Sequence, residues 1–396
     1  MEERERADVM VVGGAIIGSA VATFLAMRPD WSGRIVLVER DLTYRTASTT
    51  LSAASIRLQF STPLNIKISR FGVEFLRDLG TWLAVPGEPP PTADFVEGGY
   101  LFLATPAGMP VLLTNHAMQR EHGVEVELLD RAALGERFPW LSLDELAGGS
   151  LGLSGEGWFD AHALLQAFRA KARSLGVEYL AGEVVAVERE GSTLRGVRLA
   201  DGRRIAADTV VNAAGPRAAQ VADMAGMSLP VHARKRHVYH FDCRERIGPT
   251  PLTIAPSGVY FRPEGPAWIA GYSPRDGEPD PDTLDLEPDR AFFDDFMWPQ
   301  LAATVPAFEA VRLLDTWAGH YEVNTLDHNA VIGPHPGLPG FLFANGFSGH
   351  GLQQAPAVGR GLAEWIATGR YETIDLSPLS YERVMRNEPI RELNVV

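Results

Sequence analysis

Apolar residues fall into two patterns along this chain, short unbroken runs and runs at helical spacing. Val9-Met10-Val11-Val12 is unbroken and suits a buried parallel strand. Gly13-Gly14-Ala15-Ile16-Ile17-Gly18 then turns the chain, Ser19 to Met27 continues as an apolar helix, and Arg34 to Glu39 forms a second buried strand ending in an acid. Val9 to Met27 carries no charge and is long enough to imitate a membrane span. The charged octet MEERERAD before it and the Gly13-Gly14 break favour strand, turn and helix instead. Ile66 to Trp82 has helical spacing, and Pro86 to Pro91 is a stiff loop suited to a domain crossing.

Beyond Phe95 the elements shorten. Gly99–Ala104 and Val124–Leu129 read as strands around a helix from Pro110 to His122. Gly157 to Asp160 opens a helix running to Leu175, followed by strands at Val177–Leu180, Val184–Arg189 and Leu194–Leu199. Asp201-Gly202 marks a hairpin turn. Thr209 to Pro216 is a buried strand entering a small-residue turn. Val238–Asp242, Gly258–Arg262 and Trp268–Tyr272 suit a second sheet, and Pro274 to Pro288 is an acidic, proline-rich surface loop. Core texture returns at Val331–Gly333 and Gly340–Gly346, before a helix from Leu352 to Thr368.

At 396 residues, two domains are expected. The net charge of −14 argues against nucleic acid as a partner. A single cysteine, Cys243, excludes an intrachain disulfide and a cysteine metal cluster, and no metal site is expected. Lysine occurs only at Lys67, Lys171 and Lys235, so arginine carries the positive charge.

The first strand, glycine turn, helix and second strand place Glu39 about 20 residues past Gly18, as dinucleotide binding requires. Glycines let backbone N–H groups approach a pyrophosphate at a helix N-terminus, and the acid accepts bonds from a ribose. Ala15 stands where the middle glycine belongs, and its methyl is absorbed by a small shift of the ligand. Thr46 to Arg57 is rich in hydroxyls and small side chains, suiting either a chain lying against a ligand or a capped surface loop.

Seven separated segments, in order, resemble the FAD-dependent D-amino-acid oxidase (DAO) superfamily, more narrowly its sarcosine oxidase, glycine oxidase and dimethylglycine dehydrogenase relatives. They are VVGGAIIG, the acid Glu39, the segment ending Ile56-Arg57, EGWFDAHALLQ, VVNAAGP, GVYFRPEG and GFSGHGLQQAPAVG. The C-terminal run through GRYETIDLSPLSYERV is most similar to the mitochondrial FAD-dependent oxidoreductase domain type associated with respiratory complex I assembly. The resemblance implies an α/β (α+β) fold: a Rossmann-like FAD-binding domain with a discontinuous antiparallel-sheet substrate domain, of the glutathione-reductase type. Residues 1–85, 150–225 and 325–396 would form the first, and 86–149 and 226–324 the second.

The same resemblance assigns roles. Gly13, Gly14, Ala15, Ile16, Ile17 and Gly18 would meet the FAD pyrophosphate, Glu39 the adenosine ribose with Arg40 beside it, and Val185 the adenine. Thr46, Ala47, Ser48 and Ala53 would run beside the flavin, with Ala214 and Gly215 nearby. Gly349, His350, Gly351, Leu352 and Gln353 would aim a helix N-terminus at the flavin N1–C2=O edge; for His350 the alternative is a polar loop residue. Arg57 matches a substrate-carboxylate arginine, with a surface or interdomain ion pair as the alternative, and Gln353 replaces the partnering lysine. Tyr260, Tyr321, Arg262, Tyr272 and His320 are cavity candidates, each equally open to a structural role. Ile269 replaces an oxygen-activating lysine, which favours a dehydrogenase. FAD is expected to be non-covalent: Ala318 to Tyr321 offers no cysteine, Ser48 to Ser55 offers no histidine, and Cys243 reads as a core residue.

The implied activity is oxidation of the C–N bond of a secondary or N-alkyl α-amino acid to an imine by hydride transfer to flavin N5. A quinone, an electron-transfer protein or O2 would accept the electrons. Two alternatives stand beside it, a 2-hydroxy-acid dehydrogenase and a FAD-containing respiratory-complex assembly factor. With no transmembrane segment expected, the location is cytoplasmic or peripheral to the inner membrane, and the oligomeric state is open.

Overall fold

The structure, a computed structural model, describes residues 5–275 and 277–393. Its first strand, β1 (Glu5–Val12), is buried along its apolar half and lies in the middle of a sheet. Helix α1 (Ile16–Ala26) follows it, and β2 (Ile35–Glu39) pairs parallel to β1, Val9 opposite Ile35. On its other side β1 pairs parallel with β3 (Arg204–Asn212), Val12 opposite Asn212. The strands Leu338–Asn345 and Val331–His335 extend the sheet beyond β3, and Glu178–Ala181 extends it beyond β2. The hairpin Val184–Glu190 and Thr193–Leu199 joins along β3.

The second sheet is mostly antiparallel. Its long pair is β4 (Val231–Cys243) and, at the sheet edge, the 14-residue β7 (Val311–Asn324). Between β4 and the rest come β5 (Val259–Glu264) and β6 (Ala267–Tyr272), with β4 paired to β6, and β7 (Val311–Asn324) paired along almost all of β4. Leu252–Ile254, Tyr100–Ala104, Gly148–Gly152 and Val126–Asp130 continue it on the far side.

Several expected elements shift. The helix expected over Ile66–Trp82 is Pro63–Arg77 followed by a short turn, Leu79–Trp82, because the chain leaves helical geometry at Asp78. The strand expected at Val124 starts at Val126. Gly148–Gly152 pairs into the second sheet, so a strand crosses the boundary expected at residue 150. The glycines make that pairing possible, since a Cβ on Gly148 would lie 2.7 Å from Leu129 O.

Helix α2 (Gly351–Thr368) packs on α1 so closely that a Cβ on Gly359 would stand 2.7 Å from Ala20. Phe24, Phe75, Phe168 and Trp82 fill the outer side of α1, with Phe75 and Phe168 stacked at 5.3 Å. Burial of these apolar faces carries most of the stability. It also fixes the N-termini of α1 and α2, which open toward one cleft between the two sheets. Among the described residues no helix is long and apolar enough to cross a membrane.

Candidate active site

The cleft begins at the glycine turn. Gly13 has φ of +100°, and a Cβ there would lie 2.2 Å from Ala213 O, so glycine alone lets the end of β1 touch the end of β3. A Cβ on Gly18 would lie 1.9 Å from Gly13 O, so this glycine lets α1 close onto the turn. The Gly14 N–H donates to Glu39 Oε2 at 2.8 Å and the Asp41 N–H to Oε1 at 3.0 Å, orienting the acid beside the turn. Ala15, Ile16, Ile17, Glu39 and Arg40 line the cleft with Gly13, while Gly14 and Gly18 support it from behind.

The small-residue segment forms a second side, with Thr46, Ala47, Ser48 and Ala53 lining. It is tied down at both ends. Thr49 Oγ1 accepts from the Ile16 N–H at 3.3 Å, Trp317 Nε1 donates to Leu51 O at 3.0 Å, and Arg262 donates twice to Ala53 O at 2.7 and 3.1 Å. Ala214 and Gly215 line the cleft from the end of β3, where the Asn212 side chain holds the turn by bonding Ala218 O and the Ala214 N–H.

The second sheet supplies the far wall through Arg236, Val238, Tyr260 and the run Gly319 to Glu322. Arg236 donates from both terminal nitrogens to Asp280, at 2.7 and 2.9 Å, and its guanidinium lies 5.3 Å from the Tyr321 ring centre. Burial raises the Tyr260 and Tyr321 phenols, so both stay neutral hydroxyls. Glu322 is pushed up to about 8 by burial, against two backbone N–H donors from Gly346 and Phe347. Burial lowers His320, keeping its ring neutral.

The turn before α2 closes the cleft with Phe347, Gly349, Gly351 and Leu352. Gly349 has φ of +94°, and a Cβ there would lie 2.4 Å from the Tyr321 ring. Three expected site residues stand behind this turn rather than on the wall. Arg57, 2% exposed, donates to His350 Nε2 at 2.9 Å, and its guanidinium lies over Phe60 at 4.5 Å and near Phe102 at 5.5 Å. Burial and the Arg57 charge hold His350 well below its ordinary value, so a neutral imidazole accepts at Nε2 with its proton at Nδ1. Gln353 Oε1 accepts from the Arg57 backbone N–H at 2.9 Å, which turns this side chain toward Arg57. Val185 is 37% exposed on its hairpin and is not part of the cleft wall, because strand alternation points its neighbour Val184 inward instead.

Among the described residues, five buried polar atoms of cleft residues have no hydrogen-bond partner: Tyr44 Oη, Ser48 Oγ, Arg236 Nε, His320 Nε2 and Glu322 Oε2. Unsatisfied buried groups are expensive, so such a concentration marks a place where a ligand completes the bonding. Tyr44, Arg236 and Glu322 were not among the residues expected from sequence. Arg236 stands in the basic run Arg234-Lys235-Arg236, which looks like a solvated face, and Glu322 had no motif to mark it.

A family model described as FAD dependent oxidoreductase (DAO) matches residues 8–365. FAD-dependent oxidoreductase domain-containing protein 1 of Bos taurus is 41% identical, with 98% of this chain and 87% of that protein aligned. Dimethylglycine dehydrogenase of Rattus norvegicus is 26% identical over 96% of this chain and 45% of its own length. Among solved structures, L-proline dehydrogenase from P. horikoshii superposes with a TM-score of 0.86 at 27% identity, covering 98% of this chain and all of that one.

Proposed function

We propose, for a chain that belongs to the DAO family of FAD-dependent oxidoreductases, oxidation of the C–N bond of a secondary or N-alkyl α-amino acid to an imine. The observation that carries this reading is one cleft running from the glycine turn to a wall of Arg236, Tyr260, Tyr321 and Glu322, with five unpartnered polar atoms along it. FAD bound there supplies a hydride acceptor at N5.

The residues present fit that cofactor. Gly13 and Ala15 to Ile17 offer backbone at a helix N-terminus to a pyrophosphate, and Glu39 is aimed for a ribose. Thr46 to Ser48 and Ala53 would flank the ring system, with the unpartnered Ser48 Oγ available to bond it. The N-terminus of α2, reached through Gly349 and Gly351, favours negative charge at its mouth. No residue of this chain is assigned a covalent link to FAD. Val185, 37% exposed on its hairpin, stays the proposed adenine contact.

The substrate class follows the names of two relatives, a proline dehydrogenase and a dimethylglycine dehydrogenase, both of which denote amino acids substituted on nitrogen. A dehydrogenase fits better than an oxidase. Ile269, 2% exposed on β6, brings no cation that would stabilise reduced oxygen, so a quinone or an electron-transfer protein is the acceptor we favour. Arg57, Gln353 and His350 brace one another behind the turn, and their part is to hold the start of α2 in place.

The test is anaerobic bleaching of the purified yellow protein by sarcosine, N-methyl amino acids, proline, D-amino acids and 2-hydroxy acids in turn. Bleaching by an N-substituted amino acid, reversed slowly by air and quickly by an artificial quinone, is the expected result. Bleaching by 2-hydroxy acids alone would replace the amine reading, and fast reoxidation by air would make the enzyme an oxidase. No bleaching by any of them would move weight to an assembly role.

A further inference from the structure

We infer that the substrate is an amino acid whose N-substituent is a long, uncharged arm. Its reacting end lies in the flavin cleft, and the arm runs past Arg236 into a second cavity, where a neutral hydrogen-bond donor on it meets Gln119. The inference rests on the amino-acid reading above and adds to it the size and chemistry of the substituent.

Three hollows lie in a row. The cleft shares Arg236 and Tyr321 with a small chamber of about 170 Å3. That chamber shares Ser273, Pro274, Arg275 and His328 with a cavity of about 730 Å3. The second sheet builds the join. Val238 on β4 stands opposite Gly271 on β6, so counting outward from that pair brings Ser273 level with Arg236, just past the end of β6. Asp280 holds Arg236 by both terminal nitrogens, at 2.7 and 2.9 Å, which keeps the guanidinium at the join instead of swinging across it.

The helix Met109–Glu121 walls the large cavity, and it turns its polar side inward. Asn115 and Gln119 are buried, Gln119 to 1% exposure, whereas Val111 and Leu113 are exposed. A surface helix ordinarily buries its apolar stripe. Leu112, Asn115 and Gln119 follow at spacings of three and four, on one face, and all three line the cavity. Burying amides is costly unless they are bonded, so this face suits a polar occupant. The volume also exceeds what sarcosine or proline would fill, and it lies in the ordinary range for a ligand pocket.

The pattern of donors and acceptors names the occupant. Gln119 Nε2 donates to Phe60 O at 3.1 Å, which fixes the amide and identifies its other end as the oxygen. Among the described residues Gln119 Oε1 has no hydrogen-bond partner. An amide oxygen only accepts, so the ligand must bring an N–H or an O–H. Nearer the cleft, Ser273 Oγ and Arg236 Nε are unpartnered as well; the hydroxyl takes either role and Nε donates. Glu392, a carboxylate lining the cavity, already accepts from Ser61, Thr62 and Asn65, and Arg275 donates to Pro256 O, so neither calls for a charge on the arm. An oxidised quinone, the electron acceptor favoured above, brings no donor for Gln119 Oε1, and the cavity is therefore assigned to substrate.

Ligands that cannot be oxidised separate binding from turnover. Flavin-loaded protein is titrated calorimetrically with methoxyacetate, pentyloxyacetate and a series of ω-carbamoylalkoxyacetates of increasing arm length, an ether oxygen replacing the amine in each. Pentyloxyacetate should bind at least about tenfold more tightly than methoxyacetate, from apolar burial alone. At one arm length the carbamoyl compound should bind about three- to tenfold more tightly again, the contribution of one hydrogen bond. In Gln119→Leu, close in volume, that second gain should vanish. Leu112→Trp, which fills the cavity without touching the amides, should remove the advantage of every armed compound over methoxyacetate. Equal Kd values for methoxyacetate and all armed compounds, a pentyloxy compound that binds as tightly as every carbamoyl one, or no binding of any of them to the wild type would each overturn the inference. So would a carbamoyl gain that survives Gln119→Leu or an arm preference that survives Leu112→Trp. Failure of the corresponding N-substituted glycines to bleach the flavin, with the arm preference intact, would overturn the oxidation reading alone.

Discussion

Glu156 offers a quantitative test of how the chain around Arg57 is held. Its carboxyl is 1% exposed. Oε1 accepts from the Leu58 and Gln59 N–H groups at 2.5 and 2.9 Å, and Oε2 accepts from Gln59 Nε2 at 2.8 Å. Burial nonetheless raises the carboxyl from 4.5 to about 7, with the Gln59 side chain, the two backbone donors and Arg57 opposing the rise. Below pH 4.5 the group is protonated in both folded and unfolded chains and contributes no pH dependence. Between 4.5 and 7 the unfolded chain sheds the proton while the folded one keeps it, so stability falls as pH rises, then levels off. At about 1.4 kcal/mol per pH unit the loss accumulates to about 3 kcal/mol. Glu156→Gln removes this slope and leaves a fixed offset from altered bonding to Gln59. Urea unfolding of both proteins at equal flavin loading, from pH 5 to 8, reads the difference directly. Glu322, raised in both proteins, cancels. The variant should gain about 2–3 kcal/mol relative to wild type across that range. A constant difference at every pH would refute the reasoning.

Three further outcomes follow from the geometry. Gly18→Ala puts a methyl 1.9 Å from Gly13 O, so the turn must open, and the protein should emerge from desalting with most of its flavin absorbance gone. Arg262→Met removes both donors to Ala53 O, bonds to a charged group that together contribute about 2–3 kcal/mol, and should speed flavin release measured by fluorescence by at least about tenfold. His350 is held well below its ordinary value, so the unfolded chain takes up a proton near pH 6.5 that the folded one refuses, and stability contributed by the neutral ring is lost as pH falls below that point. His350→Gln should flatten the decline in melting temperature between about pH 7 and 5, and an unchanged slope would show that the ring is already charged in the fold.

The part of the fold nearest the glycine turn was legible because its signals are local. An uncharged apolar run, a turn that only glycine can make and an acid at the end of the next run lie within residues 9–39, and β1, α1 and β2 follow from them with small changes of boundary. β7 was invisible for the opposite reason. Its 14 residues include Arg312, Asp315 and Gly319 and are half exposed, so neither an apolar run nor clean alternation marks them, and the strand exists because it pairs residue by residue with β4, some 80 positions away in the chain. Gly148–Gly152 carries no apolar run that would mark a strand, yet a Cβ on Gly148 or Gly149 would meet a neighbouring strand's carbonyl oxygen within 3 Å. The glycine-turn half of the cleft was legible with its scaffold; on the wall built on β4 and β7, His320 and Tyr321 were expected as cavity residues, while Arg236 and Glu322 were not.

The basic run on β4 shows what kind of information was missing. His232, Arg234, Lys235 and Arg236 look alike in sequence, a stretch of positive charge that belongs in water, and the acidic loop from Pro274 to Pro288 looks like ordinary surface. In the fold the two are complementary. Asp282 takes His232, Asp285 takes Lys235, and Asp280 takes Arg236 while its carbonyl also accepts from Arg234. Asp280 neutralises Arg236 enough for it to sit buried, and strand alternation turns it, rather than Lys235, to the same side as Tyr321. Neither segment carries a motif. The position of Arg236 in the cleft depends on the loop crossing back over the strand more than 40 residues later, a tertiary pairing that no local pattern encodes. Arg57 was the easier arginine to propose because it follows a recognisable segment, but its side chain direction depends on Phe60, Phe102 and His350, brought together only by packing. The family resemblance implied the chemistry proposed for the cleft; long-range charge pairing puts Arg236, rather than Arg57, on its wall.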